Sequence, residues 1–148
     1  MKKLSSIILV SLVLVGCNQH HAPINSNIPD PEGKVVLDDT EYMMELGEYE
    51  WKQKSVEKTK LTPVSVEELA EIFDTLEVTK DSTIKIEIEE NPPTINVNKW
   101  NEDKSVEDVK VTNNEITLPS TAGYYIYEII AEWGKKGRIT YVFDVNVS

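Results

Sequence analysis

The chain reads as mainly β: an antiparallel sandwich of about seven short strands with one short inserted helix at about residues 66–76. Three observations carry that reading. A stretch near the C-terminus alternates aromatic and polar residues, and from Thr83 onward six short apolar runs are separated by turns of Pro, Asn, Asp and Gly. One run alone, after Ser65, repeats at helical spacing. At 148 residues there is room for one domain of ordinary size, placed at residues 34–148.

Residues 1–16 stand apart from that domain. Lys2 and Lys3 precede a short apolar run at 7–15, broken only by Ser11. A membrane span needs about 20 such residues, so this segment is expected to be a cleaved export signal. Its end, Leu14, Val15, Gly16 and Cys17, resembles the lipobox of bacterial lipoproteins. That resemblance implies cleavage before Cys17, fatty acyl chains such as palmitate on the new N-terminal residue, and a place on the outer face of the cell membrane. Cys17 is the only cysteine, so the domain has no disulfide and depends on its core.

The formal charge is −11; two of the 15 basic residues leave with the signal, so 13 then face 26 acids, a net of −13. Such a surface repels nucleic acid and anionic lipid, which excludes nucleic acid as a partner and leaves membrane attachment to the acyl chains. Residues 17–33 turn to Asn, Gln, His and Pro and read as a flexible tether of about 20 Å. His20 and His21 lie in this tether without further ligands nearby, and read as solvated linker rather than a metal site.

Within the domain, residues 34–37 form a first strand that turns at Asp38, Asp39 and Thr40. Residues 42–54 place Tyr49 and Trp51 on one face behind Gly47. Whether this part extends the sandwich or forms a flap is open at this level. Ser65 with Glu68 makes a capping box, after which Val66, Leu69, Ala70, Phe73 and Leu76 trace the helical stripe. Strands follow at 83–89, 94–100, 109–111 and 115–118, with Pro92 and Pro93 breaking the first pair and Pro119 ending the last.

The final hairpin spans 123–147. Tyr125, Tyr127, Ile129, Ala131 and Trp133 share one face, and Ile139, Tyr141, Phe143, Val145 and Val147 alternate with Arg138, Thr140, Asp144 and Asn146. A three-residue loop of Lys135, Lys136 and Gly137 would set Gly134 opposite Arg138, Trp133 opposite Ile139 and Ile129 opposite Phe143. Gly123, Tyr125 and Tyr127 resemble the G-x-Y-x-C start of the sixth strand of immunoglobulin-like domains, with tyrosine in place of cysteine, and Trp100 falls near the third strand. Over residues 76–148 the resemblance implies an immunoglobulin-like sandwich and a hydroxyl bond from Tyr125 to the preceding loop. The whole chain is similar to surface lipoproteins of low-GC Gram-positive bacteria, a likeness that implies no activity.

The domain contains no histidine, no cysteine, no Gly-x-Ser-x-Gly elbow and no phosphate-cradling glycine loop. Glu87 and Glu89 on one strand face have glycosidase-like spacing, but they alternate with isoleucines and should face solvent with ordinary pKa values. Asp38, Asp39 and Glu41 are too few for calcium and suit a turn. The aromatics read as core rather than a sugar platform. Tyr124, on the other hairpin face, and the cationic tip Lys135 and Lys136 remain as the candidate contact surface. The expectation is a lipid-anchored extracytoplasmic binding or accessory module, monomeric, without catalysis or cofactor, that contacts an envelope or secreted macromolecule such as a protein or wall polymer. The alternatives are a proteinase-inhibitor-like domain and a glycan hydrolase using Glu87 and Glu89.

Overall fold

A computed structural model describes residues 30–53, 56–60 and 64–148. The strands are β1 (Gly33–Leu37), β2 (Thr40–Met43), β3 (Glu45–Gln53), β4 (Val56–Lys60), β5 (Leu76–Val78), β6 (Thr83–Ile88), β7 (Thr94–Trp100), β8 (Val106–Val109), β9 (Glu115–Thr117), β10 (Gly123–Glu132) and β11 (Gly137–Val147), with helix α1 (Val66–Ile72) after β4. Two sheets form, ordered β2-β1-β6-β9 and β4-β3-β11-β10-β7-β8. β5 lies parallel to the end of β11, and every other pairing is antiparallel. The run β11-β10-β7-β8 facing β6-β9 follows the strand order of an immunoglobulin-like sandwich.

The described residues hold eleven strands rather than about seven, because the segment before the helix supplies four. They divide between the layers: β1 and β2 widen the smaller sheet, and β3 and β4 the larger. Asp38 and Asp39 both take positive φ, 48° and 62°, and form the two-residue turn between Leu37 and Thr40.

The core lies between the sheets. Val35, Ile84, Ile86 and Ile116 from one meet Val97, Tyr127, Ile129, Tyr141, Phe143 and Val145 from the other. Trp133 is core as well: it meets Trp51 edge-on at 4.9 Å and donates its Nε1–H to the Glu90 carbonyl at 3.0 Å. Trp100 is not. It points to the outer face of the larger sheet, beside Ile126 and α1.

Ten residue pairs join β10 to β11, from Gly123 with Val147 to Glu132 with Arg138. This register is two residues from the expected one, so Ile129 faces Tyr141 and Tyr127 faces Phe143. A two-residue shift leaves every side chain on its expected face. The turn is Gly134–Lys136, with Gly134 at φ +59°; Gly137 belongs to β11. A Cβ on Gly137 would stand 1.9 Å from the Glu50 carbonyl oxygen, so this glycine admits β3 at close range.

The helix starts as expected. Glu68 N–H donates to Ser65 Oγ at 3.1 Å, and Ser65 N–H to Glu68 Oε2 at 2.8 Å. It ends four residues short of the expected 76, because Phe73 turns extended at ψ 142° and Leu76 pairs with Val145 in β5. The predicted stripe therefore serves two cores. Leu69 and Ala70 cover Ile126 and Val142 on the outer face of the hairpin, while Phe73 and Leu76 enter the sandwich.

Tyr125 donates to the Thr121 carbonyl at 2.9 Å, the tyrosine-corner bond implied by the resemblance. Tyr127, standing where the family keeps cysteine, stacks on Phe143 at 5.0 Å with ring planes 9° apart, and its hydroxyl is buried with no partner. An unmatched buried hydroxyl costs about 1 to 3 kcal/mol. Tyr127→Phe keeps the stack and removes that cost, so urea unfolding of the variant is expected to show stability higher by about 1 kcal/mol. A loss of stability would show that the hydroxyl is satisfied.

Candidate functional site

The candidate contact residues lie at opposite ends of the sandwich. At one end the tip carries Lys135 and Lys136, both exposed. Trp133 N–H donates to Gly137 O at 2.9 Å and Lys136 N–H to Trp133 O at 3.2 Å, so the lysines stand on a closed turn. Lys136 Nζ is 3.9 Å from Glu90 in the β6–β7 loop, an exposed pair of little energetic weight. The N-terminal segment joins the sandwich at this same end, where Glu89 N–H donates to Glu32 O at 2.9 Å and Tyr141 donates to Pro31 O at 2.6 Å. Gly33 makes that docking possible, since a Cβ there would lie 2.8 Å from the Tyr141 ring. The packing of the domain thus reaches back to Pro31, which is buried.

Tyr124 sits at the other end of β10, eight residues from Glu132 and so about 27 Å away along the strand. It is half-buried, and its hydroxyl donates to Asp144 Oδ2 at 2.5 Å. Thr75 Oγ1 donates to the same oxygen at 3.0 Å, while Oδ1 is buried with no partner. Asp144 is 1% exposed, although strand alternation placed it on the solvent side. Helix α1 accounts for the difference, because its apolar stripe covers this face. The signal was present in Ile126 and Val142, two apolar residues out of step on the polar face, next to a helix with a stripe to bury.

Burial raises the pKa of Asp144, against the opposing pull of its bonds from Tyr124 and Thr75. Tyr124 is pushed well above the usual tyrosine range by burial first, then by its bond to Asp144. Beside this pair, Tyr124, Ile126 and Trp100 line a cleft of about 260 Å³ together with Glu67, Asn101, Glu102 and Lys104. Sequence reading offered no route to this grouping, because it joins α1, the β7–β8 turn and the start of β10.

The carboxylates considered for hydrolysis are differently placed. Lys85 lies 2.7 Å and Lys34 3.4 Å from Glu87, and these bonds, Lys85 first, hold its pKa below the ordinary carboxylate value that alternation suggested. A lowered pKa is the reverse of what a general acid needs. Glu89 accepts the backbone N–H of Glu32 at 3.0 Å. Around them a groove of about 480 Å³ runs along β6. The lipobox residues Leu14 to Cys17, the signal at 1–16, and His20 and His21 lie outside the described residues. Among the described residues no group of three or more His, Cys, Asp or Glu is arranged to hold a metal ion, and no helix is long and apolar enough to cross a membrane.

The sign for Asp144 follows from its raised pKa. The folded state favours the protonated acid, so its contribution to stability is complete below the ordinary aspartate value of about 3.9 and is lost as pH rises through the folded value. Asp144→Asn does not titrate. Urea unfolding at intervals from pH 4 to 7 is expected to show wild-type stability falling relative to Asp144→Asn as pH rises, and a constant difference would refute the buried-acid assignment.

Compared with protein-family models, curated proteins and solved structures, the chain gives no match.

Proposed function

We propose that this chain is a lipid-anchored extracytoplasmic binding module, held to the outer face of a bacterial cell membrane by acyl chains on Cys17 and acting without catalysis. The lipobox-like Leu14 to Cys17 supports the anchor, and the composition rich in Asn, Gln, His and Pro that follows it suits a tether. The observation that carries the reading is the position of residues 30–33 at the same end as Lys135 and Lys136. In an anchored protein the chain leaves the domain at this end, so the cationic tip would meet an anionic envelope macromolecule close to the membrane, whether protein or wall polymer. A closed turn between paired strands suits contact, because its backbone is already ordered before a partner arrives. The ion-paired state of Glu87 counts against the hydrolase alternative.

Fractionation of the producing cells tests the anchor. Cys17→Ser is expected to move the protein from the membrane to the soluble fraction, and wild type in the soluble fraction with an unmodified cysteine would end the reading. For the tip, Lys135→Glu with Lys136→Glu should change stability by less than about 0.5 kcal/mol. The same pair should remove the partners recovered by cross-linking in cells, and an unchanged set would mean that the tip is not the contact.

A further inference from the structure

The cleft at the other end of the sandwich carries a second surface, independent of the anchor and of the lysine tip. It is lined by Trp100, Tyr124 and Ile126 together with Asn101, the carboxylates Glu67 and Glu102 and one lysine, Lys104. The pieces are fixed in place. Trp100 and Ile126 are partners in the β7–β10 ladder, and the Tyr124 hydroxyl is held on Asp144. Glu102 accepts the Tyr124 backbone N–H at 3.2 Å. The turn that carries Glu102 is closed by Asn101 N–H on Ser105 O and Lys104 N–H on Asn101 O, both at 2.9 Å, while Asp103 accepts from the Ser105 backbone at 2.9 Å. A site formed before its ligand arrives loses less entropy on binding.

We propose that this cleft receives an arginine or lysine side chain from a basic segment of a partner protein. The apolar walls match the methylene stem of such a side chain, and the two carboxylates match its charged head. Aromatic rings add attraction for a cation. The indole N–H of Trp100 is buried without a partner, so the ring offers carbon rather than a donor to whatever enters. Charge agrees: the protein is acidic at −11, and such a surface attracts a basic partner at long range.

The test uses the full chain labelled with ¹⁵N, whose three tryptophans give three indole N–H signals; Trp100→Phe assigns the one of interest. The probes are the peptide Ac-Arg-Arg-Arg-NH₂, its neutral isostere with citrulline at each position, and an N-acetylglucosamine trimer. A saturable shift of the Trp100 signal is expected with the arginine peptide, weaker by about tenfold or more with citrulline. Glu67→Gln with Glu102→Gln should lose it, and Lys104→Gln should strengthen it. Unmoved Trp51 and Trp133 signals in these variants show that the fold persists. No saturable shift, equal response to citrulline, or response to the sugar alone would overturn the proposal.

Discussion

The ladder between β10 and β11 is the constraint on which the other parts depend. Its inner face carries Tyr127 stacked on Phe143, with Ile129, Tyr141 and Val145 around them, all buried. An aromatic side chain removes about 150 to 250 Å² from water, so this one face supplies much of the burial that a 148-residue chain without a disulfide requires. Both edges of the hairpin are used. β7 pairs along β10, and β11 takes β3 over its first half and β5 over its last three residues. A bulge in β3, where Gly47 lies against the Thr140 backbone, interrupts the β3 pairing between Ile139 and Tyr141.

Much of this was legible because strand alternation has a period of two. The inner face of β10 and β11 follows from the sequence even though the register is displaced by two, since such a displacement does not change which way a side chain points. Which glycine makes the turn was not legible. Gly134 and Gly137 both accept positive φ, and the choice is settled by Glu50 and Trp51 of β3, more than eighty residues earlier, against which only a glycine fits at 137. The start of α1 was legible from Ser65 and Glu68 because a capping box is local. Its end was not, because Phe73 leaves the helix for a core that the helix itself does not face.

The same division applies to the candidate surfaces. Lys135 and Lys136 were legible as a tip, since a charged pair beside glycines in a hairpin loop must lie outside. The cleft was not, because no local pattern relates Glu67, Trp100 and Tyr124. Trp100 illustrates the difficulty. Its place near the third strand suggested the buried tryptophan of immunoglobulin-like domains, but Val97 is the core residue on β7, and three steps further along a strand the side chain points the other way.

Asp144 connects these observations. A carboxylate at 1% exposure is costly, and a strand residue on an uncovered face would not meet that cost. The cost arises because α1 closes over Val142 and the chain passes through Thr75 on its way to β5. In return, one oxygen gathers the hydroxyls of Thr75 and Tyr124, tying the exit of the helix to the start of β10. Tyr124 is in this way held from both sides, by Asp144 at its hydroxyl and by Glu102 at its backbone, and its ring becomes a fixed wall of the cleft. A residue whose sequence context suggested a free aromatic on an open face is instead the point where helix, sheet and β7–β8 turn meet. The placing of that wall therefore depends on a buried acid behind the cleft as well as on a carboxylate of the cleft itself.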